Sequence, residues 1–170
     1  MDIKKEVNIP LLRKDFTVDE YMIYEAKVIG ASAVLLICAI LDDEQLASYL
    51  RLAHELGMSA LVEAHDEDEV RRAIACGAGI IGVNNRDLRT FTVDIMNSVR
   101  LRKLIPDTVP VTHMGTEVPV PSVPQKMVYV SESGIKTKED IDRLKANGTD
   151  AVPVSYTHLR AHETLMYLVC

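Results

Sequence analysis

Four polar side chains stand at the ends of short apolar runs of the sequence. They are Lys14, Glu63, Asn84 and Glu132. A lysine and a glutamate held close together away from water can pass protons to and from a substrate, as general acid and general base. An amide beside them can orient a polar substrate. The sequence therefore indicates acid–base chemistry at a place where several strands end.

Lys14 and Glu63 are the candidates for proton transfer. Lys14 follows the apolar run 9–12. It is either a solvated surface charge or a group in a partly desolvated mouth, where its pKa would fall and it could protonate or hold a carbonyl oxygen. Apolar residues flank Glu63, so we interpret it as a general base tuned by a nearby cation such as Lys14. His65 would turn away from Glu63 by alternation, and we interpret it as a structural histidine.

The third and fourth strand ends carry groups suited to binding. Alternation places Asn84 and Arg86 on one side, and an amide with a guanidinium suits a carboxylate-bearing or hydroxylated substrate. The alternative is an Asx turn with Arg86 at the surface. Glu132 is either catalytic or positions its neighbours. Ser133 and Gly134 follow a late strand, which suits phosphate binding through backbone N–H groups and a hydroxyl.

The apolar runs that carry these residues recur at a nearly constant interval, except across the longer gap between residues 81 and 128. Predicted strands centre near residues 12, 36, 61, 81, 128 and 152. The first covers 8–16, the second is one continuous run over 33–41, and the last begins at 149. Helices are predicted between the strands, four of them starting at the cap residues Asp19, Asp42, Asp66 and Thr137 and another covering 94–105. Repeating strand–helix units predict parallel strands with right-handed crossovers.

An α/β barrel explains this repeat better than an open doubly wound sheet does. No G-x-G-x-x-G or G-x-x-x-x-G-K motif follows a strand, and polar residues end nearly every strand. The fold prediction is an α/β (βα)8 TIM barrel. The chain has 170 residues, whereas a complete barrel typically needs about 250. The predicted barrel is therefore incomplete.

The composition and net charge of the chain argue against several classes of binding partner. The net charge is −6 without a basic run, which makes nucleic acid and anionic membrane poor partners. No apolar stretch approaches the roughly 20 residues of a membrane span, and no secretory signal is evident. Cys38, Cys76 and Cys170 are odd in number and lack CxxC spacing, which predicts reduced thiols in the cytoplasm. His158 and His162 are four residues apart but lack the H-E-x-x-H order, so no metal site is predicted.

Four motifs in this order resemble the indole-3-glycerol phosphate synthase family. They are LRKDF at 12–16, LVEAH at 61–65, IGVNNRDL at 81–88 and VSESGI at 130–135. The resemblance covers about residues 8–152 and implies a TIM barrel. It also implies a carboxy-lyase of tryptophan biosynthesis that closes the indole ring of 1-(2-carboxyphenylamino)-1-deoxyribulose 5-phosphate, with loss of carbon dioxide and water. The resemblance implies no metal or organic cofactor.

The resemblance implies a role for each matching residue. Lys14 is the general acid that activates the substrate carbonyl, and Glu63 is the acid–base carboxylate. The implied catalytic residues are Lys14, Glu63, Asn84 and Glu132. The implied substrate-binding residues are Phe16, Arg86, Leu88, Ser133 and Gly134. Phe16 and Leu88 would be apolar walls, and Ser133 with Gly134 would hold phosphate.

The sequence also departs from the family pattern. The match begins at the family's third strand, so the Glu-x-Lys pair and the Ser-Pro-Ser-Lys-Gly loop of the first strand are expected to be missing. The predicted domain covers residues 1–152, with a proline-rich inserted loop at about 108–125. Residues 153–170 form a predicted non-native tail, because VSYTHLRAHET from residue 154 matches translated sequencing adapter.

Two other interpretations stay open beside the synthase. The chain could be an inactive, truncated barrel that self-associates through open edges. It could also be another phosphate-binding barrel enzyme such as phosphoribosylanthranilate isomerase, although the contexts of Lys14, Glu63 and Asn84 argue against this. Fusion to, or association with, other tryptophan-pathway enzymes is left open.

Overall fold

The computed structural model describes residues 3–87, 90–108 and 126–153, in which helices and parallel strands alternate. The elements are α1 Ile3–Glu6, β1 Leu12–Arg13, α2 Glu20–Val28, β2 Ala33–Ile37, α3 Asp43–Glu55, β3 Ser59–Ala64, α4 Glu67–Ala75, β4 Ile80–Asn84, α5 Met96–Leu101, β5 Val128–Glu132 and α6 Lys138–Ala146. Short 3₁₀ turns follow β2 and α5. Within these ranges no helix has the length and apolarity to cross a membrane.

The five strands form one parallel sheet in chain order, β1-β2-β3-β4-β5. In β3, Glu63 pairs with Ile37 on one side and with Gly82 on the other. Neighbouring strands in chain order are the result of successive crossovers of one hand. The predicted α/β fold of parallel strands alternating with helices is confirmed.

Alternation along the strands separates two apolar clusters on the two faces of the sheet. One face packs against α2 to α5, and its strand residues include Val34, Leu36, Val62, Ile81 and Tyr129. The opposite face carries a smaller cluster centred on Leu35, Ile37, Leu61 and Val130. Glu63 and Glu132 also belong to this second face, because they alternate with Val62 and Ser131. The sheet therefore has a helix-covered face and an inner face.

The sheet curls toward its inner face. Lys14 directly follows β1 and Glu132 ends β5, yet Lys14 Nζ lies 2.9 Å from Glu132 Oε2. In a flat sheet, strands β1 and β5 would be about 19 Å apart, since neighbouring strands are about 4.8 Å apart. Two side chains do not span that gap, so the first and last strands must approach each other across the inner face. This curvature is that of a barrel arc.

Two predicted strands are shorter in the structure. The predicted strand 33–41 ends at Ile37, and a 3₁₀ turn occupies Cys38–Ile40. Cys38 and Leu41 are buried although they lie beyond the strand, so the apolar run extends past the last strand residue. The predicted strand 8–16 is reduced to Leu12–Arg13, since β1 is an edge strand preceded by Pro10, which lacks a backbone donor.

Two further elements differ in extent. The predicted helix 94–105 becomes α5 followed by a 3₁₀ turn at Arg102–Leu104, and the residue before α5 provides no side-chain cap. The strand predicted to begin at 149 amounts to one parallel bridge between Ala151 and Val130.

The predicted helix starts are confirmed at α2, α3, α4 and α6. Their cap residues Asp19, Asp42, Asp66 and Thr137 each accept a hydrogen bond from a backbone N–H of the first turn. Complete capping boxes form at α3 and α6. At α4 the carboxylate of Glu69 does not complete the box; it accepts a hydrogen bond from the backbone N–H of His65 instead.

The predicted inserted loop leaves and rejoins the described structure at one place. Thr108 and Lys126 form an antiparallel bridge just before β5. Residues 109–125, and residues 154–170 of the predicted tail, lie outside the described residues. The predicted boundaries of the loop and the tail therefore stay predictions.

Arg72 of α4 fastens the turn that follows β2. Its guanidinium donates to the carbonyl oxygens of Cys38 at 3.1 Å and Leu41 at 2.7 Å, and its Nε lies 2.6 Å from Asp43 Oδ1. Arg72→Met should lower the free energy of unfolding by about 1–3 kcal/mol, because it leaves two carbonyls without donors. The measurement is the urea midpoint of the purified chain.

Arg71 is the matched control for this prediction. It lies on the same helix, is 63% exposed and is 3.7 Å from Glu67. Arg71→Met should change the free energy of unfolding by no more than about 0.5 kcal/mol. Equal urea midpoints for the two variants would contradict the role given to Arg72.

Candidate active site

The structure brings the four predicted catalytic residues together at the carboxyl ends of the strands. Lys14 Nζ lies 2.9 Å from Glu132 Oε2 and 3.6 Å from Glu63 Oε2. Asn84 Nδ2 donates to Glu63 Oε1 at 2.9 Å. One cation and one amide thus join two carboxylates across the inner face of the sheet. This is an arrangement in which protons can be exchanged.

Burial sets the pKa of Glu132. The residue is 2% exposed, and desolvation raises the pKa of its carboxyl group. The hydrogen bond and the charge of Lys14 oppose this shift, whereas the charge of Glu63 adds to it. The pKa of Glu132 therefore depends on its burial and on both Lys14 and Glu63.

The pKa of Lys14 shifts in the direction opposite to the predicted one. Burial lowers it, but the hydrogen bond to Glu132 and the charges of Glu132 and Glu63 together raise it above its ordinary value. The prediction that desolvation would lower the pKa of Lys14 is wrong, because two carboxylates outweigh the partial burial of one ammonium group. Lys14 is accordingly held in its protonated form.

Gly82 makes room for the carboxylate of Glu132. A Cβ atom at Gly82 would lie 2.1 Å from Glu132 Oε1. That oxygen is buried and has no hydrogen-bond partner among the described residues. The sequence offered a signal for this role, since a glycine inside a strand often marks a close approach of another group.

The turn after β5 is strained. Ser133 has φ of 66° and Gly134 has φ of 79°. A residue other than glycine pays about 1–3 kcal/mol for this left-handed conformation. A Cβ atom at Gly134 would also lie 2.2 Å from Val93 Cγ1. The two predicted phosphate-binding residues therefore have a backbone shape that the surrounding structure must hold in place.

Asn85, which sequence reasoning did not single out, holds this turn. Its Nδ2 donates to the carbonyl of Ser133 and to Ser131 Oγ, both at 3.0 Å. Its Oδ1 accepts from the backbone N–H of Ser98 at 3.0 Å and from the Ser98 hydroxyl at 2.8 Å. Asn85 is 3% exposed, so these bonds are shielded from water. The only sequence signal was its place beside Asn84.

Asn84 and Arg86 form part of a neighbouring cavity. Asn84 Oδ1 accepts from the backbone N–H of Arg86 at 3.0 Å, so the Asx turn considered as an alternative is present, while the amide still binds Glu63. A cavity of about 420 Å³ opens here, and its lining includes Asn84, Arg86, His65, Asn97 and Arg100. Lys14 and Glu132 do not line it.

The other residues singled out in the sequence are Phe16, Leu88 and His65. Phe16 is 60% exposed, two residues after Lys14. Leu88 lies outside the described residues. His65 lies beside Glu63, with Nε2 at 3.4 Å from Glu63 Oε1. The prediction that alternation turns His65 away from Glu63 is wrong, because residues two apart in an extended segment face the same side.

Parallel βα units with acid, base and amide groups at the strand ends define the class of βα-barrel enzymes. Comparison with known proteins identifies the family within this class. The family model for indole-3-glycerol phosphate synthase matches residues 1–118. The chain belongs to this family.

Curated relatives agree with the family match. The chain is 50% identical over 163 residues to an indole-3-glycerol phosphate synthase of Ruminiclostridium cellulolyticum, covering 96% of this chain and 56% of the relative. It is 54% identical over 151 residues to one of Endomicrobium trichonymphae, covering 89% of this chain and 52% of the relative. The chain thus spans about half the length of these relatives.

A solved structure shares the fold. FabK from Thermotoga maritima superposes with a TM-score of 0.62 at 10% identity, covering 89% of this chain and 42% of that chain. At this identity the similarity extends to the fold alone.

Gly82→Ala should displace the Glu132 carboxylate and lower the free energy of unfolding by about 1–3 kcal/mol. Glu132→Asp shortens the side chain and should restore space beside the new methyl group. The loss of unfolding free energy in the double variant should therefore be smaller than the sum of the two single losses, by about 1 kcal/mol or more. Urea unfolding of all four proteins measures this coupling, and strictly additive effects would refute the contact.

Asn85→Asp should place a carboxylate oxygen against the carbonyl of Ser133 and cost about 3 kcal/mol or more at neutral pH. Burial raises the folded pKa of the introduced carboxyl group above its unfolded value. The deficit is therefore largest above the folded pKa and shrinks as the pH falls toward about 4. Unfolding at several pH values checks this. Asn8→Asp, at an exposed position, should show no such trend.

Proposed function

We propose that the barrel to which this chain belongs closes the indole ring of 1-(2-carboxyphenylamino)-1-deoxyribulose 5-phosphate. The observation that carries the proposal is the contact of Lys14 with Glu132 and Glu63, in a chain of the synthase family. In this reaction the ring carbon that bears the carboxyl group bonds to the sugar carbonyl carbon. Loss of carbon dioxide and then of water gives indole-3-glycerol phosphate.

Lys14 and Glu63 divide the proton transfers. Lys14 is held protonated and gives a proton to the carbonyl oxygen as the new carbon–carbon bond forms. Glu63 then accepts and returns protons while carbon dioxide and water leave. Asn84 keeps one oxygen of Glu63 occupied at 2.9 Å, which leaves the other oxygen to the reaction. Glu132 holds the ammonium group of Lys14 before the substrate arrives.

The substrate-binding roles are part of the same proposal. Arg86 lines the cavity beside Asn84 and would bind the aromatic carboxylate. Ser133 and Gly134 would bind the phosphate through backbone N–H groups and a hydroxyl. Phe16 and Leu88 would form apolar walls against the aromatic ring.

A second candidate is that the chain alone is an incomplete, inactive barrel. It spans about half the length of its relatives, with 56% of the Ruminiclostridium cellulolyticum protein covered. Large apolar side chains on and beside α2 are exposed, among them Tyr21 at 71% and Val28 at 85%. Such a surface supports association with another copy, a fused domain or another enzyme of the pathway.

The cellular location is proposed from the thiols. Cys38 is buried and unpaired, and Cys76 is also a free thiol. Free thiols are typical of the reducing cytoplasm. We therefore propose that the protein is cytoplasmic.

Substitutions of Lys14 and Glu63 test the catalytic roles. The background is this chain extended with the remaining barrel units of the Ruminiclostridium cellulolyticum relative. Lys14→Ala and Glu63→Gln should each lower turnover by roughly 10²–10⁴-fold, because each removes a proton-transfer group. The exposed controls Lys103→Ala and Glu55→Gln should leave turnover unchanged. The measurement is the fluorescence of the indole product, and an unaffected rate for Lys14→Ala or Glu63→Gln would refute the assigned roles.

The unextended chain separates the two candidate functions. Ring closure by residues 1–170 alone would contradict the incomplete-barrel interpretation. Activity confined to the extended protein would support it.

A further inference from the structure

His65 lies between two carboxylates. Its Nδ1 is 3.0 Å from Glu69 Oε2, and its Nε2 is 3.4 Å from Glu63 Oε1. The side chains of His65 and Glu69 are each 15% exposed, and that of Glu63 is 6% exposed. The imidazole ring therefore joins the start of α4 to the candidate active site.

The ring is fixed from the α4 side. The backbone N–H of His65 donates to the same Glu69 oxygen at 2.7 Å, and Asn97 Nδ2 donates to the His65 carbonyl at 2.9 Å. The backbone N–H of Glu69 is bound by the cap residue Asp66 at 2.9 Å. Both the main chain and one ring nitrogen of His65 are thus held in place.

These contacts determine what faces Glu63. An ionised Glu69 carboxylate only accepts, so the hydrogen of the ring is on Nδ1 when His65 is neutral. Nε2 then carries a lone pair and faces another acceptor, Glu63 Oε1. In the described structure Nε2 is buried without a hydrogen-bond partner. Protonation of the ring would turn this opposed pair of acceptors into a donor and an acceptor.

We propose that His65 is a positioning residue that bridges Glu69 and Glu63 as an imidazolium and thereby fixes the carboxylate of Glu63. The role in catalysis rests on the ring-closure function proposed above. With the bridge formed, Glu63 Oε1 accepts from both His65 and Asn84. Glu63 Oε2, 3.6 Å from Lys14 Nζ, is then the oxygen that exchanges protons.

The charges around the ring favour its protonated form. The hydrogen bond to Glu69 raises the pKa of His65, burial opposes it, and the charges of Glu69, Glu63 and Asp66 raise it further. Across the inner face, the carboxyl group of Glu132 also interacts with the ring. Since the folded pKa is raised, the stabilisation is complete below about 6.5, the unfolded value, and is lost as the pH rises through the folded pKa. The bridge therefore forms at lower pH and opens at higher pH.

An NMR titration of the 170-residue chain tests the bridge without any enzymatic assay. The ring ¹⁵N shifts of His65, assigned by their absence in His65→Gln, report its pKa and its tautomer. Glu69→Gln and Glu63→Gln should each lower the pKa of His65. Glu67→Gln, on the exposed side of α4, should not change it. A response to Glu69→Gln without a response to Glu63→Gln would overturn the bridge.

Two conservative substitutions in the extended barrel test the effect on catalysis. Glutamine at position 65 keeps a donor near the place of Nε2, whereas asparagine keeps one only near Nδ1. His65→Asn should lower kcat by roughly 10–100-fold with little change in KM, and His65→Gln should recover most of the loss. The alkaline limb of the rate profile should follow the pKa of His65 and disappear in His65→Gln.

The NMR titration and the kinetic comparison together distinguish failure of the His65 bridge from failure of the proposed function. Equal losses in both variants with an unchanged pH profile would mean a structural role and would overturn the positioning role. An extended barrel without ring closure would refute the proposed function, while the NMR titration would still decide whether the bridge exists.

Discussion

The inner face of the sheet must accommodate two buried carboxylates, and this constraint governs the structure around them. Glu63 is 5% exposed and Glu132 is 2% exposed. Taking such groups out of water costs several kcal/mol each unless a cation and hydrogen bonds compensate. Lys14 is the lysine or arginine side chain that contacts both of them in the described residues. The site therefore needs Lys14 for its stability, in addition to the catalytic role proposed for it.

Lys14 can meet this need only if the sheet is curved. It is supplied by the first strand of the sheet, and Glu132 belongs to the fifth. Their contact requires the edges of the sheet to approach each other, so sheet curvature and the ionisation of the site depend on one another. The absence of a side chain at Gly82 belongs to the same constraint, because a methyl group there would occupy the position of the Glu132 carboxylate.

The sequence predicted those parts of the site that depend on local pattern. An abrupt change from apolar to polar residues located Glu63, Asn84 and Glu132, and cap residues located four helix starts. Features that depend on distant partners were not predictable in this way. The raised pKa of Lys14 follows from a partner 118 positions along the chain. The carboxylate of Glu69 binds the backbone N–H of His65, a contact that no local pattern of the sequence indicated.

The apolar pattern of the sequence predicted which residues are buried better than it predicted their backbone conformation. The run 33–41 is largely buried, but only its first five residues form a strand. The rest forms a 3₁₀ turn and a connection whose carbonyls are bound by Arg72. A side chain can be buried in either backbone geometry, so a hydrophobic run alone does not determine where a strand ends.

The adjacent asparagines of β4 connect the two halves of the site. Strand alternation directs Asn84 to the inner face, where it binds Glu63, and Asn85 to the helix-covered face, where it binds Ser98 and Ser131. Asn85 also holds the carbonyl of Ser133. One dipeptide therefore fixes both the carboxylate proposed for acid–base catalysis and the strained turn proposed to bind phosphate. Because consecutive residues share a peptide bond, a shift at either asparagine would move Glu63 relative to the turn at Ser133, and in the proposed reaction this would couple substrate placement to proton transfer.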